Sequence, residues 1–269
     1  MFQRIMLATQ FRQILRMTKS CRIPAVLKCN NILSFERQLT SGRDGSGRTK
    51  SRIELRVLQE SHRAGAIELL TDVFYRHGPV LKYLGASCEC VKHLNEIAVN
   101  QTIRDGVGTV AIDTEVNKVA GVLTSILKSH EKDGSEDYDL KLIRQVKPYL
   151  DVIAILRARF YQLDEVKAEQ SRGNRMMETY QVGVGDDYHG RNLILRMIYH
   201  SFKLGKLKGV KFAYSEVTNP IVQHVLSKDP GFVFIGDMIK YANFETDGWK
   251  PLAGMPADCK GAVVFKYKL

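Results

Sequence analysis

The stretch Val182–Met197, VGVGDDYHGRNLILRM, gathers residue types that suit the binding of a phosphate-bearing molecule. A strand ends near Val184, the chain turns through GDDYHGRN, and a helix opens at about Arg191–Leu193. The first N–H groups of a helix lack partners within it and carry partial positive charge. A strand running straight into such a terminus is therefore a ready pyrophosphate site. Gly190 permits close backbone approach, and Arg191 can add a charge-assisted contact to phosphate. The same residues also suit an ordinary β–turn–α connection in which Asp186 and Asp187 are turn residues, and the loop alone does not choose.

The elements that must hold this loop follow from hydrophobic periodicity. IELRVL (Ile53–Leu58) alternates as a half-buried strand, and SHRAGAIELLTDVFYR follows with helical spacing of Ala64, Ile67, Leu70, Val73 and Phe74. Ser61 is the expected N-cap of that helix, and Gly78-Pro79 should break it. A second helix fits Cys88–Asn100, and GTVAID with KVAGVLTSIL forms a hairpin across TEVN. KSHEKDGSEDYD reads as a charged surface loop, and Leu140–Val166 as mostly helical with an interruption at Pro148. METYQVGV is the strand before the loop, and Asn192–Lys206 the helix after it, with Leu193, Ile194, Met197, Ile198 and Phe202 toward the sheet. KFAYSEV, a short helix at IVQHVLS, GFVFIGDMIKYANF and GAVVFKYKL close the chain. This order predicts one α/β domain with a mixed sheet.

The bulk properties narrow the function. The net charge of +11 is concentrated at one end: residues 1–50 hold ten Lys/Arg against two acids, leaving 30 against 27 in residues 51–269. The main part is thus nearly balanced and shows no basic stripe interleaved with aromatics, so no nucleic-acid partner is expected. No apolar run approaches the roughly 18–20 residues that span a bilayer, and no membrane partner is expected. Met1–Leu33 is Arg-rich and acid-free, which suits a mitochondrial transit peptide and equally a disordered basic tail, with TSGRDGSGRTK as a flexible linker. The division is accordingly 1–50 as a flexible basic segment and 51–269 as the folded domain. The five cysteines lack C-x-x-C pairing or a His partner at ligand spacing. That favours reduced thiols in an intracellular protein, mitochondrial or cytoplasmic, and no metal.

Beyond the loop, VTNP (Val217–Pro220), a short helix and Gly231-Phe232 entering a strand complete an ensemble that resembles the Gcn5-related N-acetyltransferase (GNAT) superfamily. In its loop pattern, Gln/Arg-x-x-Gly-x-Gly/Ala, the matching run here is His189-Gly190-Arg191-Asn192-Leu193-Ile194, with Asn192 and Ile194 at the family's small positions. VFYRHGPVLKYLG (Val73–Gly85) is similar to a segment of insect-type arylalkylamine N-acetyltransferases, where a Glu precedes the Pro; here that residue is Gly78. The resemblance covers about residues 52–269. It implies a mixed, mostly antiparallel sheet of about seven strands flanked by helices. It also implies acetyl transfer from acetyl-CoA, as cosubstrate, to a primary amine such as a small arylalkylamine, by direct attack in a ternary complex.

Such a reaction needs a neutral nucleophile, a polarised thioester carbonyl and a proton donor for the thiolate. By the resemblance, Val182 and the Val184 N–H would face the acetyl group. His189 and the amides of Gly190, Arg191, Asn192, Leu193 and Ile194 would hold the pyrophosphate, and Asn219 would reach the pantetheine arm or the thiol. Period-two alternation places Glu178 on one face with Tyr180, Val182 and Val184, making it the preferred general base. His77, beside Gly78, is the alternative, since imidazole titrates near neutrality. The superfamily's acid position, seven residues after the Asn, is Leu226, leaving Tyr214 and Ser215 as substitutes. Two rivals stand beside the enzyme reading: a catalytically weak acyl-CoA-binding or interaction protein, and an acyltransferase acting on an amino acid such as glycine.

Overall fold

The computed structural model describes residues 52–129 and 139–269. The expectations for residues 1–50, and most of the charged loop after Lys128, lie outside the described residues. Seven strands form one sheet in the order β1-β2-β3-β4-β5-β7-β6, with β1 Ile53–Val57, β2 Thr109–Asp113, β3 Lys118–Lys128, β4 Met176–Val184, β5 Phe212–Val217, β6 Phe232–Lys240 and β7 Gly261–Lys268. Every neighbouring pair is antiparallel except β4 with β5. The expected mixed, mostly antiparallel α/β domain is the one observed.

Helices cover both faces. On one lie α1 (Arg63–His77), the short α2 (Pro79–Tyr83), α3 (Cys88–Asp105) and α5 (Lys147–Tyr161); on the other lies α7 (Leu193–Leu207). Strand alternation dictates this. Val110, Ile112 and Val122 pack with α1 and α3, while Ala111, Ala120 and Leu123 pack with Met197, Ile198 and Phe202 of α7. In the other half of the sheet, Phe212, Tyr214 and Val264 meet Val152, Leu156 and Phe160 of α5. The remaining helices are α4 (Leu140–Ile143), α6 (Asp164–Ser171) and α8 (Pro220–Ser227).

Three expectations need correction. Ser61 does not cap α1: Glu60–His62 forms a 3-10 turn, opened by reciprocal bonding between Gln59 and His62. Pro148 does not interrupt a helix but sits in the first turn of α5, where its missing N–H costs nothing; the break precedes it. The third concerns β4. Thr124 pairs with Gln181 but Ser125 with Thr179, so Tyr180 is an extra residue and β4 is bulged there. A bulge reverses the alternation beyond it. Met177 and Val184, an odd and an even position, therefore share the α7 core, whereas the Glu178 side chain reaches Arg157 of α5. Glu178 does not share a face with Val182 and Val184.

Candidate active site

β4 and β5 pair only at Met177↔Ala213 and Glu178↔Tyr214, then part, although β4 continues to Val184 and β5 to Val217. Two side chains close the point of divergence. Thr179 Oγ1 donates to the Tyr214 carbonyl at 3.2 Å, and Ser215 Oγ donates to the Thr179 carbonyl at 3.0 Å. The result is a cleft walled by Thr179–Val182 of β4 and Ser215–Asn219, with His77, Gly78 and Pro79 along its rim and Ile198 and Leu226 beneath. Beyond this point the β4 and β5 edges that would have paired face the cleft rather than each other.

At the far end of β4 lies the glycine-poor loop. Asp186–Tyr188 makes one 3-10 turn, anchored by Tyr188 Oη donating to Asp113 Oδ2 at 3.0 Å. The His189 ring lies 3.1 Å from the Val184 carbonyl, tying the loop to the strand end. Gly190 (φ 74°) and Asn192 (φ 55°) both adopt left-handed conformations, and a Cβ at Gly190 would meet nothing within 4 Å. Asn is among the few non-glycine residues that tolerate this region, so the chain makes this turn without a glycine at 192. α7 opens at Leu193 without any side-chain cap from Asn192, so its first N–H groups remain for an external anion. Arg191 stacks over Tyr188 at 5.3 Å. Leu193 is buried and Ile194 half-buried, both against the α7 core, so these two can contribute backbone only. An uncapped fifteen-residue helix behind two left-handed residues fits a pyrophosphate.

The cleft's inner wall backs onto a buried charge cluster. Glu178, fully buried, lies 2.9 Å from Lys128 Nζ and 2.9 Å from Arg157 Nη2, and accepts a hydrogen bond from Tyr214 Oη at 3.0 Å. Burial pushes its carboxyl up, but the Arg157 and Lys128 charges and its hydrogen bonds outweigh that and hold it below the ordinary range. Glu216, on β5 beside the cleft, has Arg157 Nε at 3.2 Å. Burial, and then the Glu178 charge, push its carboxyl up to about 8, against Arg157 and Lys128. Two carboxylates sharing one guanidinium are thus driven apart, Glu178 downward and Glu216 upward to about 8.

The predicted site residues therefore separate. Val182, Ser215 and Asn219 line the cleft, and Val184, His189, Gly190, Arg191, Asn192, Leu193 and Ile194 build the loop and helix beyond it. Asn219 Oδ1 caps α8 by accepting from Ile221 N at 2.9 Å, which leaves its amide nitrogen as the group able to meet a ligand. His77 stands on the rim, 3.4 Å from Asp186 and half exposed. Glu178 and Tyr214 are instead interior. Tyr214 is 1% exposed and stacks on Phe160 with centroids 4.2 Å apart, and burial drives its hydroxyl well above its usual range. Neither lines the cleft. Sequence reading passed over Glu216, Arg157 and Lys128. Arg157 carried a signal, being a cation within the apolar stripe Ile153, Leu156, Phe160 and Tyr161 of α5. Among the described residues, no group of His, Cys, Asp and Glu gathers as a metal ion requires.

No known family and no curated protein matches the sequence. The structure does have counterparts. The C-terminal condensation domain of Ebony, solved with β-alanyl-dopamine, is similar with TM-score 0.63 at 15% identity, covering 81% of this chain and 99% of its own. Arylalkylamine N-acetyltransferase 2 from Aedes aegypti gives 0.62 at 16% identity, over 81% and 99%. A Drosophila melanogaster polyamine N-acetyltransferase, which forms N-acetylagmatine, gives 0.64 at 15%, over 81% and 100%. The cleft between splayed strands, the loop and the helix behind it belong to a chain with the fold of the Gcn5-related N-acetyltransferases.

Proposed function

We propose that this protein transfers an acetyl group from acetyl-CoA to a primary amine, an arylalkylamine or related small amine, by direct attack in a ternary complex. The observation that carries the reading is the cleft opened where β4 leaves β5, ending at an uncapped helix N-terminus behind two left-handed residues. An extended arm with amide groups suits the unpaired strand edges, and a pyrophosphate suits the helix terminus. The thioester supplies an acyl carbon activated toward amines. The chain's own groups bind and orient it. The N–H groups of Gly190 to Ile194 would hold the pyrophosphate with Arg191 adding charge, His189 would keep the loop against Val184, and Val182, Val184 and Asn219 would line the arm's path. His77 on the rim and Ser215 at the strand divergence are among the polar residues that would meet an acceptor in the cleft. Proteins of the same fold that acetylate arylalkylamines and polyamines support an amine acceptor.

A second reading, an acyl-CoA-binding protein with weak or no turnover, is favoured by two observations. Leu226, buried at 1%, cannot donate a proton to a leaving thiolate, and Gly78 puts no side chain on the rim. Calorimetric titration with acetyl-CoA, followed by CoA release across a panel of arylalkylamines, polyamines and glycine, separates the readings. Binding with turnover on an amine supports the first, binding alone the second, and absence of binding overturns both. Among the described residues no helix is long and apolar enough to cross a membrane. Mitochondrial or cytoplasmic placement rests on the composition of residues 1–50, and sequencing the mature N-terminus tests it.

A further inference from the structure

We propose that Glu216 is the proton acceptor that converts the bound ammonium of the acceptor into a nucleophilic amine, through one bridging water. This rests on the acetyl-transfer reading above. Among the described residues that line the cleft, Glu216 is the one acidic residue; it stands just past the point where β5 leaves β4, with its carboxyl on the interior side of the cleft wall. Its side chain is 3% exposed, so a proton placed there is shielded from bulk solvent.

The surroundings select Glu216 over Glu178. The groups facing it are Lys128 from β3, Glu178 from β4, Tyr214 from its own strand, and Arg157 and Tyr161 from α5. Lys128, the Arg157 Nη2 and Tyr214 Oη all converge on Glu178, which favours its charged form and occupies its oxygens. Glu216 is held by the Arg157 Nε at 3.2 Å, a weaker hold on the charged form. Of the two carboxyls, Glu216 can therefore take and return a proton near neutral pH, which is what a general base requires. His77 is half exposed and turned toward Asp186.

The proton balance is simple. The Glu216 carboxylate takes one proton from the ammonium, and the freed lone pair forms the C–N bond at the acetyl carbon as the C–S bond breaks. The remaining excess proton on nitrogen passes to the departing thiolate, and Glu216 returns its own proton to solvent. One ammonium and one acetyl thioester thus give one amide, one thiol and one proton.

Glu216→Gln tests this against wild type. The expected result is acetyl-CoA binding by calorimetry within about twofold of wild type, with kcat/KM lower by roughly 10²- to 10⁴-fold. The limb of the wild-type pH profile that rises toward about 8 should vanish, and Glu216→Asp should restore part of the rate. Independently of turnover, side-chain carboxyl ¹³C NMR should show one glutamate titrating near 8 in wild type and none in Glu216→Gln. Wild type that turns over amines while Glu216→Gln keeps its rate within a few-fold, with the limb intact, overturns the inference. If Glu216→Gln fails to fold, a wild-type spectrum with no carboxyl titrating above pH 7 overturns it equally. Wild type that neither binds acetyl-CoA nor turns over defeats the underlying reading, and that outcome is read in the wild type alone.

Discussion

Replacing Glu178 by Gln removes one charge and almost no volume from the centre of the sheet. In the native cluster Glu178 neutralises Lys128, whose side chain is 0% exposed, and half of Arg157, which is 17% exposed. The amide leaves Lys128 as an uncompensated ammonium in the interior and turns one oxygen acceptor into a donor facing cations. Breaking a buried pair by removing one partner costs about 3–5 kcal/mol, and for a domain of this size that lowers Tm by roughly 6–20 °C. Lys128→Met/Glu178→Gln should recover most of the loss, since burying neither charge avoids the desolvation cost. The sign with pH follows from the lowered carboxyl. Its stabilising contribution is present above its ordinary value of 4.5 and is lost as pH falls through the lower folded value, so Glu178→Gln should flatten acid unfolding below about pH 4.5. Urea titrations of both variants across pH measure all three effects. A loss below about 1 kcal/mol would refute the structural assignment, and an unchanged Tm with collapsed turnover would place Glu178 in the reaction instead.

Other perturbations probe the neighbouring parts. Asn192→Gly should leave stability within about 0.5 kcal/mol of wild type, whereas Asn192→Val should cost roughly 1–3 kcal/mol at a left-handed position and weaken acetyl-CoA binding, checked by thermal melts and calorimetry. Asn219→Ala removes the α8 cap, so a loss of about 1 kcal/mol with faster amide exchange in Pro220–Ser227 is expected; unchanged exchange would argue against the cap. Tyr214→Phe deletes a hydrogen bond to a buried carboxylate and should cost about 1.5–3 kcal/mol in denaturant titration, with the shape of the pH–rate profile preserved. A changed profile would return Tyr214 to the reaction.

Much of this protein could be read directly from residue order. Alternation in IELRVL, GTVAID and KVAGVLTSIL, and helical spacing in LILRMIYHSF, encode which face each element buries, because period 2 and period 3.6 are local consequences of backbone geometry. The loop after β4 was legible for the same reason: a strand, a turn and a helix in immediate succession bring the loop to the helix N-terminus without any distant partner. Even Asn192 could be read as a departure from the usual small residue, although its left-handed backbone, which reconciles it with the loop, required the structure. The chemistry of Glu178 and Glu216 was not legible. A single bulged residue, Tyr180, turns Glu178 away from Val182 and Val184, and a bulge depends on how β3 and β4 pair rather than on β4 alone. Which carboxyl stays charged depends on Lys128, Arg157 and Tyr214, three residues from three elements, the most distant 86 positions apart in the chain. Local periodicity sets faces and loops, but the pKa of a buried group is set by the charges that packing brings within a few ångströms, and only the tertiary structure brings them there.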